Sequence, residues 1–190
     1  TQDRLYNIVN TVQVLRKMGG RLSERNVRTT GGEQIADLDV ASSNLVGVEI
    51  TEEEVVLAID ELPILFVAAA FASGVTKVTG ASELRVKESD RLAKMAWLLS
   101  CAGVEVTEFP DGLEVVGVPL TDRQIPPTWL EMKDNWQYTG DHRICMCASI
   151  LNYLLSGGEL WLPEPDAVET SFPGFLEKIQ NLSTKLGANG

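Results

Sequence analysis

An internal repeat constrains this chain more than any other feature. The glycines Gly19, Gly103 and Gly187, each closing a helical pattern, stand 84 residues apart, and Gly74 and Gly158 are separated by the same interval. Their neighbours match too: Lys17-Met18-Gly19-Gly20, Cys101-Ala102-Gly103-Val104 and Lys185-Leu186-Gly187-Ala188. Two interleaved series of this kind argue for a duplicated unit whose apolar face is buried only by stacking on its neighbours. The unit reads strand, helix, strand, helix, hairpin. The 190 residues hold about two and a quarter such units, beginning inside one.

Hydrophobic periodicity predicts five helices: Leu5 to Met18, with Leu5, Ile8, Val9, Val12 and Leu15 on one stripe; Leu62 to Ala72; Ser89 to Ala102; Asp141 to Leu155; and Pro173 to Leu186. Strand-like runs follow the glycine stops at Val75–Thr79, Val104–Thr107 and Glu159–Leu162. Pro110-Asp111-Gly112 predicts a hairpin joining Val104–Glu108 to Leu113–Val116. A second pair is expected between Gln34–Val40 and Leu45–Ile50, around Ser42-Ser43-Asn44. The expected class is α/β, with βαβαββ units in a single partial domain over residues 1–190.

Composition removes several functions. With 44% hydrophobic and 23% charged residues the chain can bury a core. Its net charge of −11 disfavours nucleic acid and anionic membrane, which select basic faces. The longest apolar run, beginning at Ile64, is far too short to span a bilayer, and no leader pattern opens the chain. A cytoplasmic protein is expected. Three cysteines (Cys101, Cys145, Cys147) and the single His142 are too few, and too poorly spaced, for a zinc site, so buried unreactive thiols and no metal are expected.

Charge gathers where loops enter helices. Glu83-Leu84-Arg85-Val86-Lys87-Glu88-Ser89-Asp90-Arg91 carries six charges in nine residues between a strand and a helix. Such a run can be a solvated loop, with Ser89 as cap and Asp90 favourable to the helix dipole. It can equally build an anion site from Lys87, Arg91 and backbone N–H groups, with Glu88 among them as a proton carrier. Gly140-Asp141-His142-Arg143 opens a second helix. There Asp141 suits an N-cap and Arg143 offers a fork for carboxylate or phosphate. Asp60-Glu61-Leu62-Pro63 occupies the matching place one repeat earlier, with Asp60 either a cap or an acid/base. Three helix entrances related by a repeat can face one cleft.

These residues resemble a known family. Leu84-Arg85-Val86-Lys87-Glu88-Ser89-Asp90-Arg91-Leu92 is similar to the phosphoenolpyruvate-binding motif of the 5-enolpyruvylshikimate-3-phosphate (EPSP) synthases. The likeness extends through Thr29-Thr30-Gly31-Gly32-Glu33, Ser42-Ser43-Asn44-Leu45-Val46-Gly47-Val48-Glu49-Ile50, Asp60-Glu61-Leu62-Pro63, Gly140-Asp141-His142-Arg143 and Thr170-Ser171-Phe172-Pro173-Gly174-Phe175. The resemblance implies most of the C-terminal lobe of an inside-out α/β barrel enzyme, without its N-terminal lobe. It implies transfer of the enolpyruvyl group from phosphoenolpyruvate to the 5-hydroxyl of shikimate 3-phosphate, with no cofactor and no metal. It also implies glyphosate as an inhibitor at the anionic site.

By motif, Asp60 and Lys87 fall on shikimate 3-phosphate and its proton transfer, Glu88 on the methylene carbon, and Arg91 and Arg143 on the phosphoenolpyruvate anion. Asp141 and His142 stand in support. Thr170 occupies a position where some branches of the family carry a lysine, so that lysine's phosphate contact does not carry over. A non-catalytic anion-binding domain and the related transferase acting on UDP-N-acetylglucosamine are the alternatives; the Arg-Val-Lys-Glu-Ser-Asp-Arg run favours the shikimate enzyme. A lobe lacking a repeat neighbour exposes apolar surface, so self-association is expected. Size-exclusion chromatography with light scattering checks this, and a clean monomer at high concentration would count against it.

Overall fold

The computed structural model describes residues 2–31, 33–119, 125–137 and 139–187, with side chains described from Asn10 onward except at 33–34 and 183–187. In chain order the elements are α1 (Gln2–Lys17), β1 (Arg21–Thr30), β2 (Glu33–Ala41), β3 (Glu49–Ile50), α2 (Glu52–Ala58), α3 (Leu62–Ala70), β4 (Gly74–Val78), α4 (Arg91–Cys101), β5 (Glu105–Phe109), β6 (Gly112–Gly117), α5 (Pro127–Asp134), α6 (His142–Ser156), α7 (Pro165–Ser171) and α8 (Phe175–Gly187). Short 3₁₀ turns at Ile59–Glu61 and Ser82–Val86 precede α3 and α4.

One full unit of the repeat runs from β3 to β6 in the order βαβαββ, its first helical segment divided into α2 and α3 by a 3₁₀ turn. Its four strands form one sheet, ordered β3-β4-β6-β5: β3 is parallel to β4, while β4–β6 and β6–β5 are antiparallel. The repeat glycines occupy matching backbone states. Gly19 and Gly103 follow helix ends with φ of +88° and +73°, and Gly74 and Gly158 lie at +93° and +123°. These are conformations that glycine adopts without a Cβ penalty.

Helix α3 explains the layering. Its sequence, LPILFVAAA, is apolar on nearly every face, so it must be covered all round. It lies against β6, α4 and α6, and Leu62, Leu65, Phe66, Val67, Ala69 and Ala70 are all buried. Leu92, Met95, Leu98 and Leu99 of α4 and Ile144, Ala148 and Leu151 of α6 join the same core, along with Val78, Leu113 and Val115 of the sheet. In β4 only Thr76 and Val78 turn inward, so the other face of the sheet meets solvent.

Several expectations hold and several are corrected. The hairpin at Pro110-Asp111 forms, with Phe109 opposite Gly112. Helix α1 extends as predicted, but Val14 and Met18 are its most deeply buried described side chains; Val12 is buried, Leu15 is half-buried, and Leu5, Ile8 and Val9 lie outside the described side chains. Gln34–Val40 does not pair with Leu45–Ile50. Instead β2 pairs with β1, and Glu49–Ile50 adds in parallel to β4. β1 was hidden because its sequence, RLSERNVRTT, lacks apolar alternation; the ribbon is held by ladder bonds and cross-strand charge pairs such as Arg25–Asp39. Glu159–Leu162 forms no strand. Trp161 packs edge-on to Trp136 instead.

The hydrophobic periodicity predicts no helix at α2, α5 or α7. The first carries a readable signal, since Thr51-x-x-Glu54 is a capping box and the Glu54 carboxylate accepts the Thr51 N–H at 2.8 Å.

Gly117 is the tightest junction between sheet and core helix. A Cβ there would lie 2.3 Å from the carbonyl oxygens of Ala69 and Ala72. Gly117→Ala is expected to cost about 1–3 kcal/mol through forced overpacking. Urea unfolding checks this, and an unchanged midpoint would show that the helix end can move aside.

Candidate active site

Three chain entrances converge. The 3₁₀ turn before α3 supplies Asp60 and Glu61, the segment entering α4 supplies Lys87, Glu88 and Arg91, and the start of α6 supplies His142 and Arg143. All seven line one open cleft of about 1090 Å³, which continues along Pro63, Ile64, Met146, Cys147 and Ile150 to Thr170, Ser171, Phe172 and Phe175. The cleft is cationic and acidic at one end and largely apolar at the other.

Arg91 is the hinge of the charged end. It is the first residue of α4, and its side chain is 1% exposed. Its Nε donates to Asp141 Oδ2 at 2.9 Å, and Nη2 reaches Asp141 Oδ1 at 3.4 Å and also bonds Glu88. Its Nη1 lies 3.5 Å from Asp60 Oδ1, and Lys87 Nζ approaches the same oxygen at 3.7 Å. Lys87 also pairs with Glu83. Arg143 donates from Nη1 to the Asp60 carbonyl at 2.6 Å and to Glu61 Oε1 at 3.1 Å. Asp60, Lys87, Glu88, Arg91, Asp141 and Arg143 therefore form one contiguous network.

Asp141, fully buried, serves two functions at once. Its Oδ1 accepts the Arg143 N–H at 3.0 Å as the N-cap of α6, while Oδ2 takes the Arg91 guanidinium and the Ser89 hydroxyl, the latter at 2.9 Å. Burial pulls its carboxyl upward. Arg91, Ser89 and the Arg143 N–H outweigh that and hold it below the ordinary carboxylate range. Burial and the neighbouring Arg143 push His142 down, so its imidazole is neutral at pH 7. Burial raises the Cys145 thiol to about 12 and raises Cys147 as well; Cys101 is only half-buried and is also raised. None of these thiols is an activated nucleophile.

The alternatives left open by the motifs resolve residue by residue. Asp90, not Ser89, caps α4 by accepting the Ala93 N–H at 3.0 Å, which frees the Ser89 hydroxyl for Asp141. Asp60 caps no helix: its carboxylate faces Lys87, Arg91 and Arg143, the last at 4.0 Å. Arg85 carries no role by motif. It braces the Lys87–Glu88 segment by ion-pairing with Asp90 and Glu108, each at 2.9 Å, and by donating to the carbonyls of Phe109 and Pro110. Only its place in the charged run could have flagged it, because its hairpin partners are more than twenty residues away. Among the described residues no group of His, Cys, Asp or Glu is arranged to hold a metal ion, and no helix is long and apolar enough to cross a membrane.

A repeated βαβαββ lobe with this cleft at its helix entrances is that of an enolpyruvyl transferase, and solved structures carry the same fold. EPSP synthase from Acinetobacter baumannii superposes with a TM-score of 0.75 at 36% identity, covering 92% of this chain and 38% of that one. The family model for EPSP synthase (3-phosphoshikimate 1-carboxyvinyltransferase) matches residues 3–179. The chain belongs to that family.

A 3-phosphoshikimate 1-carboxyvinyltransferase of Limosilactobacillus fermentum is 41% identical over 171 residues, covering 90% of this chain and 37% of the relative. One from Xanthomonas euvesicatoria is 48% identical over 161 residues, covering 85% and 34%. The chain thus spans little more than a third of the length of the curated relatives it matches.

Replacing Asp141 with Asn should strand a buried guanidinium and cost about 3–5 kcal/mol. The sign with pH follows from the lowered carboxyl. Its stabilisation is fully present above its ordinary value of 3.8 and is lost as pH falls through the lower folded value. Denaturant titrations from pH 7 to pH 2 should therefore show the gap between wild type and variant closing below about pH 4. A gap that stays constant would refute the assignment.

Proposed function

We propose that this chain is most of the C-terminal lobe of an EPSP synthase. The complete enzyme joins the enolpyruvyl group of phosphoenolpyruvate to the 5-hydroxyl of shikimate 3-phosphate and releases phosphate. The observation that carries this reading is the meeting of Lys87, Arg91 and Arg143 with the carboxylates Asp60 and Glu88 on one cleft. A substrate polyanion needs the cations, and addition to its enol needs a proton donor beside them.

The chemistry runs by addition and elimination. The 5-hydroxyl oxygen bonds to C2 of phosphoenolpyruvate, a proton reaches C3, and a tetrahedral adduct forms. The C2–O bond to phosphate then breaks as the proton leaves C3, regenerating the double bond. Asp60 and Lys87, whose charged atoms lie 3.7 Å apart, act at the hydroxyl: Asp60 takes its proton and yields it to the departing phosphate, and Lys87 holds the shikimate 3-phosphate anion. Glu88 gives the proton to C3 and recovers it. Arg91 and Arg143 grip phosphoenolpyruvate, and glyphosate competes there. Asp141 orients Arg91, and neutral His142 lines the same wall.

At the cleft mouth Lys87, Arg91 and Arg143 each already have carboxylate partners, so an incoming anion must exchange with them. Glu88 is half-exposed and the natural group to leave Arg91; once released, its carboxyl is free to face C3. No step uses a metal or organic cofactor. The remaining partner in this reading is an N-terminal lobe of the same enzyme. Three unpaired thiols suit the reducing cytoplasm.

The isolated chain should show no turnover, whereas the same sequence joined to the remaining lobe of a full-length relative should be active. In that joined enzyme Glu88→Gln should lower kcat about 10²–10⁴-fold. Phosphate release measured with both substrates checks each point. Robust activity of the chain alone would favour a different site, and phosphoenolpyruvate binding without turnover in the joined enzyme would favour a non-catalytic anion-binding domain.

A further inference from the structure

Glu164 lies outside every motif discussed above, yet four donors converge on its carboxylate. Oε1 accepts the Trp136 indole N–H at 2.8 Å, the Thr139 N–H at 2.6 Å and the Thr139 hydroxyl at 3.1 Å. Oε2 accepts the Gly140 N–H at 2.9 Å. The loop so gripped leads directly into Asp141 and Arg143, and the Thr139 hydroxyl itself accepts the Asp141 N–H at 3.3 Å.

The backbone adds a second, independent observation. Glu164 is one of only two non-glycine residues with positive φ among those described, at φ +50°, and it sits at the N-cap of α7 without capping it. A side chain larger than hydrogen is disfavoured there, so the site retains glutamate for its carboxylate rather than for its backbone. One group thereby clamps the loop entering α6 to the start of α7, whose far end (Thr170 and Ser171) lines the other side of the cleft.

We infer that Glu164 is a positioning residue of the anion site: it fixes the Thr139–Gly140 loop so that Asp141 and Arg143 meet the substrate anion in register. This rests on the reaction proposed above. The side chain does not line the cleft and moves no proton. Its effect passes through Asp141, which locks Arg91, and through Arg143. Because those groups hold the anion in the ground state and the transition state alike, loss of the clamp raises KM more than it lowers kcat. Burial draws the Glu164 carboxyl up, but the Thr139, Trp136 and Gly140 donors keep it below the ordinary range, so the clamp is ionised and formed at neutral pH.

Glu164→Gly is the discriminating variant, since it relieves the left-handed backbone while deleting the carboxylate. Glu164→Gln keeps one accepting oxygen and the side-chain length. In the joined full-length enzyme, the glycine variant should raise KM for phosphoenolpyruvate at least tenfold with kcat within threefold of wild type, and glutamine should restore part of the loss. In the 190-residue chain, amide hydrogen exchange at Thr139 and Gly140 should quicken in the glycine variant. Faster exchange with unchanged KM makes Glu164 merely structural and overturns the inference, as does unchanged exchange. An inactive wild-type joined enzyme overturns the reaction and the positioning role together, whereas an active one whose glycine variant keeps its KM overturns the positioning role alone.

Discussion

A buried ion pair between Arg91 and Asp141 is the constraint on which the rest of the site depends. Both side chains are essentially excluded from water, so each on its own would carry a large desolvation cost. The cost is offset because the two residues begin different helices and every strong acceptor on Asp141 is used: by the guanidinium, by the Ser89 hydroxyl and by the Arg143 N–H. The pair thus fixes the start of α4 against the start of α6. Helix α3, apolar on all sides, fills the space behind it, and the geometry of the cleft mouth follows from that packing.

Electrostatics divides the labour among the remaining charges. The cleft mouth holds Lys87, Arg91 and Arg143 against Asp60, Glu61, Glu88 and Asp141, so acids outnumber bases. Only Asp141 is sealed away. Asp60 and Glu88 remain partly open to water, where exchange of one anion for another costs little. A net charge of −11 is compatible with an anion site for this reason: three cations are gathered at the mouth, and the partly exposed acids among them can give way to an incoming anion.

Much of this was legible because the repeat places chemistry at short range. The run from Arg85 to Arg91 carries its own meaning, as does Gly140 to Arg143, and their meeting follows once matching helix entrances are assumed to face one cleft. The order of β3 through β6 followed from the glycine spacing and the Pro110-Asp111 turn. What escaped was set by tertiary partners. β1 is a charged ribbon strand stabilised by β2, so no apolar alternation announces it. Glu159 to Leu162 has a strand-like composition, yet no described strand pairs with it. The convergence on Glu164 joins residues 24 to 28 positions away, a distance at which local propensity is silent. Asp60 and Ser89 were ambiguous for the opposite reason, since capping and ion pairing call for the same residue types.

An aromatic row stands beside the clamp. Trp97, Trp136 and Trp161 stand with ring centroids 5.8 Å and 5.5 Å apart, at tilts of 54° and 80°. Indoles at these separations and tilts meet inclined or edge to face, as aromatic quadrupoles favour. The central ring is tethered through its N–H to the carboxylate that grips the α6 entrance. The same carboxylate that holds the α6 entrance thus also fixes the middle ring of an indole row, joining the cleft mouth to the aromatic packing behind it.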